Sequence, residues 1–111
     1  MADERQDIAR DFHSAVNMTA KELEAWLDTE ESRSVGDSDE GESTGHKSGR
    51  RIVKILETSK SERTDSDREH MRKLIGFVNR HLAQRPEKTD EEIEATRWRY
   101  SLMNWGHDPL K

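Results

Sequence analysis

No cysteine occurs in the chain, which removes disulfides, thiolate zinc sites and cysteine nucleophiles together, so the fold has to rest on packing alone. That suits a reducing compartment, and a cytoplasmic protein is expected. Long apolar runs are missing as well: the longest, Leu74–Val78, spans about five residues, far short of the roughly 20 that cross a bilayer. The opening Met1-Ala2-Asp3-Glu4-Arg5 is polar from its start, so neither a secretion signal nor a membrane partner is expected. Apolar residues are scarce throughout, at 30% of the chain against roughly 45–50% in ordinary globular proteins. Leu, Ile, Val and Phe together number 18 of 111, enough for one thin core and not for two, so residues 1–111 are read as a single domain.

Charge is abundant, at 39% of residues, yet the net value is only −5. Its distribution matters more than its sum. Residues 1–45 hold 13 acidic and 4 basic groups, whereas residues 46–85 hold 5 acidic and 11 basic ones. A nucleic acid, if bound, would meet the second stretch.

The few apolar residues recur at helical spacing, and no strand-like alternation of useful length interrupts them. The expected fold is all-α, a small bundle of about five helices. Ile8, Phe12 and Val16 put one stripe on a helix over about 3–16. Thr19 and Glu22 form a capping box that starts a second helix, with Leu23, Trp26 and Leu27 facing inward, fading through 28–34. Residues 36–45 read GDSDEGESTG, without a large apolar side chain, and a mobile acidic loop is expected near 36–47. Ser48 can then cap a third helix whose core stripe is Ile52, Ile55 and Leu56. Thr64-Asp65-Ser66-Asp67 is another start signal, opening a fourth helix in which Met71, Leu74, Ile75, Val78 and Leu82 are buried and which Pro86 stops. Thr89 and Glu92 repeat the capping logic before a last helix with Ala95, Trp98, Leu102 and Trp105 on its inner face, ended by Gly106.

Candidate chemistry is sparse. Gly41–Ser48 approaches the phosphate-loop pattern, but His46 stands where the second glycine is needed and no strand precedes it. A weaker version keeps the backbone N–H groups of Ser48–Arg51, with Lys47, Arg50 and Arg51, as a phosphate contact; a capped helix with solvated arginines is the simpler reading. His13, His46, His70, His81 and His107 contain no pair at chelating spacing, and no metal or other cofactor is expected. The carboxylates at 28–31 and 91–94 sit in acidic runs that read as solvated faces, and no desolvating cleft for acid–base catalysis is foreseen, so the chain is read as non-enzymatic. Arg97-Trp98-Arg99-Tyr100 could stack on bases. In a chain this poor in apolar residues, Trp98 and Trp105 are better used as core, leaving Arg97, Arg99 and Tyr100 as surface contacts.

The segments NMTAKELEAWL at 17–27, SVG at 34–36, GHKSGRRIV at 45–53, HMRK at 70–73, RHLAQRP at 80–86 and WRYSLMNWGHDP at 98–109 resemble an uncharacterised microbial domain-of-unknown-function family, DUF3140. The likeness covers nearly the whole chain. Some members carry a DNA-binding label, which the resemblance extends to this chain as an expectation, and it supplies no catalytic residue. The combined expectation is a non-enzymatic, DNA-associated protein contacting the phosphate backbone through Lys47, Arg50, Arg51, Lys54, Arg72, Lys73 and Arg80. The alternative is a protein-interaction or stress-associated accessory domain, its acidic first half recruiting a basic protein partner and its aromatic C-terminal segment docking. A third idea has the acidic stretch 36–45 competing with nucleic acid for the basic one.

Overall fold

A computed structural model describes residues 4–35 and 44–111. Every regular element in them is helical: α1 (Glu4–Ala15), α2 (Ala20–Leu27), α3 (Glu30–Ser34), α4 (Thr44–Glu57), a short 3-10 turn (Lys60–Glu62), α5 (Asp65–Ala83), α6 (Asp90–Ile93) and α7 (Arg97–Asn104). Among the described residues no helix is long and apolar enough to cross a membrane.

The capping signals work as their chemistry dictates. Thr19 accepts from the Glu22 N–H while the Glu22 carboxylate accepts from the Thr19 N–H, and Thr64 with Asp67 and Thr89 with Glu92 do the same. Two further threonines explain why the helices exceed five. Thr29 accepts from the Ser32 N–H and Thr96 from the Arg99 N–H, so each starts a new helix where side-chain spacing alone suggests continuation. Ser48, in contrast, caps nothing. It lies inside α4, which begins at Thr44, so residues 44–47 are its first turn and not loop; the rest of the expected mobile loop, 36–43, lies outside the described residues.

Two pairs nested in chain order make the architecture: α1 packs on α5, α2 packs on α4, and α7 touches α2, α3, α4 and α5. The core between them holds Ile8, Phe12, Val16, Leu23, Leu27, Ile52, Ile55, Met71, Leu74, Val78, Leu102 and Trp105. Two inward assignments change and one buried residue is added. Leu82 is 37% exposed, Ala95 is exposed, and Ile93 fills the core from α6 in its place.

The C-terminal segment is a clasp. Gly106 adopts φ 84°, and its N–H donates to the Met103 carbonyl while that of His107 donates to Leu102, the paired bonds of a Schellman ending that only glycine closes without strain. Beyond it, Asp108 and Asn17 exchange two bonds of 2.7 and 2.8 Å through side chain and backbone, the His107 ring donates to Ala15 O at 2.7 Å, and Arg99 forks onto both Asp108 oxygens at 3.2 and 3.1 Å. Arg99 is thereby committed inside the fold, not free as a surface contact.

Burial alone would raise the Asp108 pKa, but its hydrogen bonds to Arg99 and to the Leu110 N–H together hold it below the ordinary carboxylate value. A carboxylate whose folded pKa is depressed stabilises fully above its unfolded pKa, and that contribution fades as pH falls through the folded one. Melting temperature should therefore drop steeply below about pH 4, and Asp108→Asn should lower it at pH 7 while flattening that acid limb. An unchanged limb would mean that other carboxylates set it.

Candidate nucleic-acid interface

Helix α4 is where the basic residues gather. At 100° per residue, Lys47, Arg50, Arg51 and Lys54 lie within about 100° of one another around its axis, and the buried residues His46, Gly49, Ile52 and Val53 take the opposite side. Lys47, Arg50 and Lys54 are exposed and Arg51 is half-buried. Three contacts fix this orientation. The buried His46 ring donates from Nε2 to Leu27 O at 2.6 Å, tying the first turn of α4 to the end of α2. Ser48 Oγ lies 2.8 Å from His70 Nε2 on α5. Gly49 sits so close to α7 that a Cβ there would lie 2.5 Å from the Asn104 carbonyl oxygen.

The α4–α5 seam continues one turn on, where Arg51 donates to Ser66 Oγ at 2.8 Å and to Asp67 at 3.2 Å. Asp67 also closes the Thr64 capping box, and the backbone bond to Thr64, ahead of Arg51, holds its pKa below the ordinary value. The His70 pKa is lowered, first by burial and then by the Arg51 charge, with Lys73 adding to it. His70 is consequently a neutral imidazole near pH 7. Its far face stacks on Trp105, and the rings of Phe77 and His81 continue the column. The Ser48–His70 pair has the atoms of a nucleophile and base, yet Ser48 is 4% exposed, which leaves its hydroxyl no approach for a substrate.

The seven basic positions divide accordingly. Lys47, Arg50, Arg51 and Lys54 form one stripe, and Lys73 borders it through the shared neighbour His70. Arg80 follows Lys73 seven residues on, on the same side of α5 about 10 Å away. Arg72 points about 100° away from Lys73 around the helix. The free N–H groups expected at Ser48–Arg51 do not exist, because those residues lie beyond the first turn of α4, where each N–H bonds the carbonyl four residues back. Any phosphate contact there belongs to the side chains.

The aromatic segment is occupied internally. Trp105 is 7% exposed, the half-buried Trp98 donates its indole N–H to His81 O at 2.8 Å, and Tyr100 packs on Trp26 with ring centres 5.4 Å apart. Sequence reading missed the residue at the centre of this region. Asn104, 1% exposed, accepts from Trp26 Nε1 at 2.8 Å and from Ser32 Oγ at 2.5 Å, and donates to Ser32 O at 3.0 Å. The only signal was a polar residue between Met103 and Trp105 at a helix end.

A family model described as Protein of unknown function (DUF3140) matches residues 11–103. No curated protein and no solved structure matches the chain.

Proposed function

The chain belongs to this family of unknown function, a membership that assigns no activity, and from its own surface we propose that it is a non-enzymatic, nucleic-acid-associated helical protein contacting the phosphate backbone. The observation carrying this reading is the α4 stripe of Lys47, Arg50 and Lys54, exposed on the side opposite the buried His46, Gly49, Ile52 and Val53, with Arg51 beside them in its bond to Asp67. A regular row of long cations on a rigid helix matches the regular spacing of phosphates, and it reads charge without reading bases. Lys73 and Arg80 extend the row along α5.

The test is fluorescence anisotropy with labelled duplex and single-stranded DNA at about 50 and 200 mM salt. Six to ten phosphate contacts would cost about 10³–10⁵ in affinity over that range. Lys47→Ala with Lys54→Ala, both exposed, should weaken binding evenly across sequences and reduce the magnitude of the log–log salt slope by about 1.8, at 0.9 for each contact. Binding that is unaffected by salt, or a slope unchanged in the double variant, would remove α4 as the interface.

A protein-interaction role is the second reading. It keeps the acid-rich sequence of residues 1–45 as the attraction for a basic protein partner, and what weighs against an aromatic anchor is that Trp98, Tyr100 and Trp105 already contact His81, Trp26 and Phe77.

A further inference from the structure

A cleft of about 950 Å³ opens between α1, the 3-10 turn and the start of α5. It is separate from the outward stripe of α4. Arg10, His13, Lys60, Arg63 and Arg68 line it, and among the described residues no carboxylate does. Two of these cations have local counter-charges: Arg10 pairs with Asp7 and Asp11 at the exposed rim, and Arg68 pairs with Asp65 while donating to Arg63 O at 2.9 Å. Lys60 makes no ion pair among the described residues.

Arg63 is the unusual member. It is 8% exposed, a rare state for an arginine, and among the described residues it makes no ion pair, the nearby Asp67 acting on it only through its charge. Its Nε and Nη2 both donate to Ile55 O, at 3.3 and 3.2 Å, and its guanidinium lies 5.4 Å from the centre of the Phe12 ring. Those contacts hold the planar group still. Its Nη1 is buried with no hydrogen-bond partner among the described residues, a donor whose desolvation is left uncompensated. A fixed cation with an unused donor, in a cleft lined by further cations, is the arrangement an oxyanion completes.

We propose that this cleft binds a terminal phosphate dianion, free or on a small organic ester, with Arg63 as the recessed anchor and Lys60 and His13 as flanking donors. A terminal phosphate presents three oxygens and can enter a recess. A phosphate within a stiff duplex, substituted on both sides and held at the helix surface, cannot reach a side chain this buried. The protein's own groups agree: the His13 pKa is lowered by burial first and then by the charges of Arg63 and Lys60, so it responds to the cations that an incoming anion would neutralise. Its other neighbour is the Phe12 ring, edge-on at 5.3 Å.

The experiment is an NMR titration of the full chain with inorganic phosphate and, separately, phenyl phosphate, following the arginine Nε–H and histidine ring signals. Expected are saturable shifts at Arg63 and His13, a rise in the His13 pKa at saturation, and about tenfold weaker binding in Lys60→Ala, the loss of one charge-assisted bond. Equal affinities would assign the site to free phosphate, and tighter phenyl phosphate to an ester whose body rests on Ala9 and Met71. Because Arg63 is buried, Arg63→Lys is judged beside the exposed Lys60→Ala. Absent or non-saturable shifts, or affinity unchanged in both variants, overturn the proposal. Displacement by duplex DNA also overturns it and gives the cleft to nucleic acid. Lys47→Ala with Lys54→Ala should leave phenyl phosphate binding unchanged, which separates failure here from failure of the α4 interface.

Discussion

Asn104→Leu is expected to lower the melting temperature by more than about 10 °C, the largest effect of any single substitution considered. The leucine fills a similar volume but offers no polar atom, so Trp26 Nε1, Ser32 Oγ and Ser32 O all lose their partner. Each buried group left unsatisfied costs about 1–3 kcal/mol. Trp26 is half-buried and can recover water, so a total of about 3–5 kcal/mol is reasonable, against the roughly 5–15 kcal/mol that holds a domain together. At about 4 °C or more per kcal/mol for a chain this small, the shift follows. Trp26→Phe, which removes a single member, should cost much less. If the two variants melted together, Asn104 would be an ordinary helix-end residue and the hub would carry no special stability. The hub joins α2, α3 and α7, so its loss should also free the segment 28–35 before the rest of the chain, visible as faster amide exchange there.

A second large effect separates two glycines that look alike in sequence. Both Gly49 and Gly76 lie within helices, where replacing glycine by alanine ordinarily gains up to about 1 kcal/mol. Gly76→Ala should show that gain, since nothing lies within 4 Å of the added Cβ. Gly49→Ala should go the other way, by about 1–3 kcal/mol, because the Cβ would stand 2.5 Å from the Asn104 carbonyl oxygen and 2.6 Å from a Leu27 methyl. The backbone oxygen belongs to the last residue of α7 and cannot swing aside, so α4 would have to move off both α2 and α7. Thermal melts of the two variants, side by side, read the sign directly. A stabilised Gly49→Ala would mean that α4 packs less closely than described.

These two sites show why the motif at 45–53 invites over-reading. Its glycine, histidine, lysine and serine suggest a phosphate loop. In the fold, Gly49 permits close packing, His46 bonds Leu27 O and Ser48 meets His70, Arg51 pairs with Asp67, and Lys47 and Arg50 stay exposed on the outer side. The same division holds at 98–109, where the aromatic and polar residues that look like a docking surface close the core and fasten the C-terminal segment to the α1–α2 junction through Asp108 and Asn17.

What the sequence determined by itself was whatever depends on neighbours along the chain. Helix starts at Thr19, Thr64 and Thr89 were readable because a capping box closes within four residues. So were the stripes Ile8–Phe12–Val16 and Met71–Leu74–Val78, because helical periodicity fixes which side chains share a face, and the glycine ending at Gly106, because the left-handed turn is local. What only the tertiary structure decided depends on which helices meet. The meeting of α4 with α5 puts Ser48 against His70, that of α7 with α2 and α3 puts Asn104 between Trp26 and Ser32, and Arg63 comes to lie over Phe12 of α1, contacts that join residues 22 to 78 positions apart. No pattern of spacing encodes them, since a polar residue's burial is set by the partner that satisfies it, and that partner is supplied by packing.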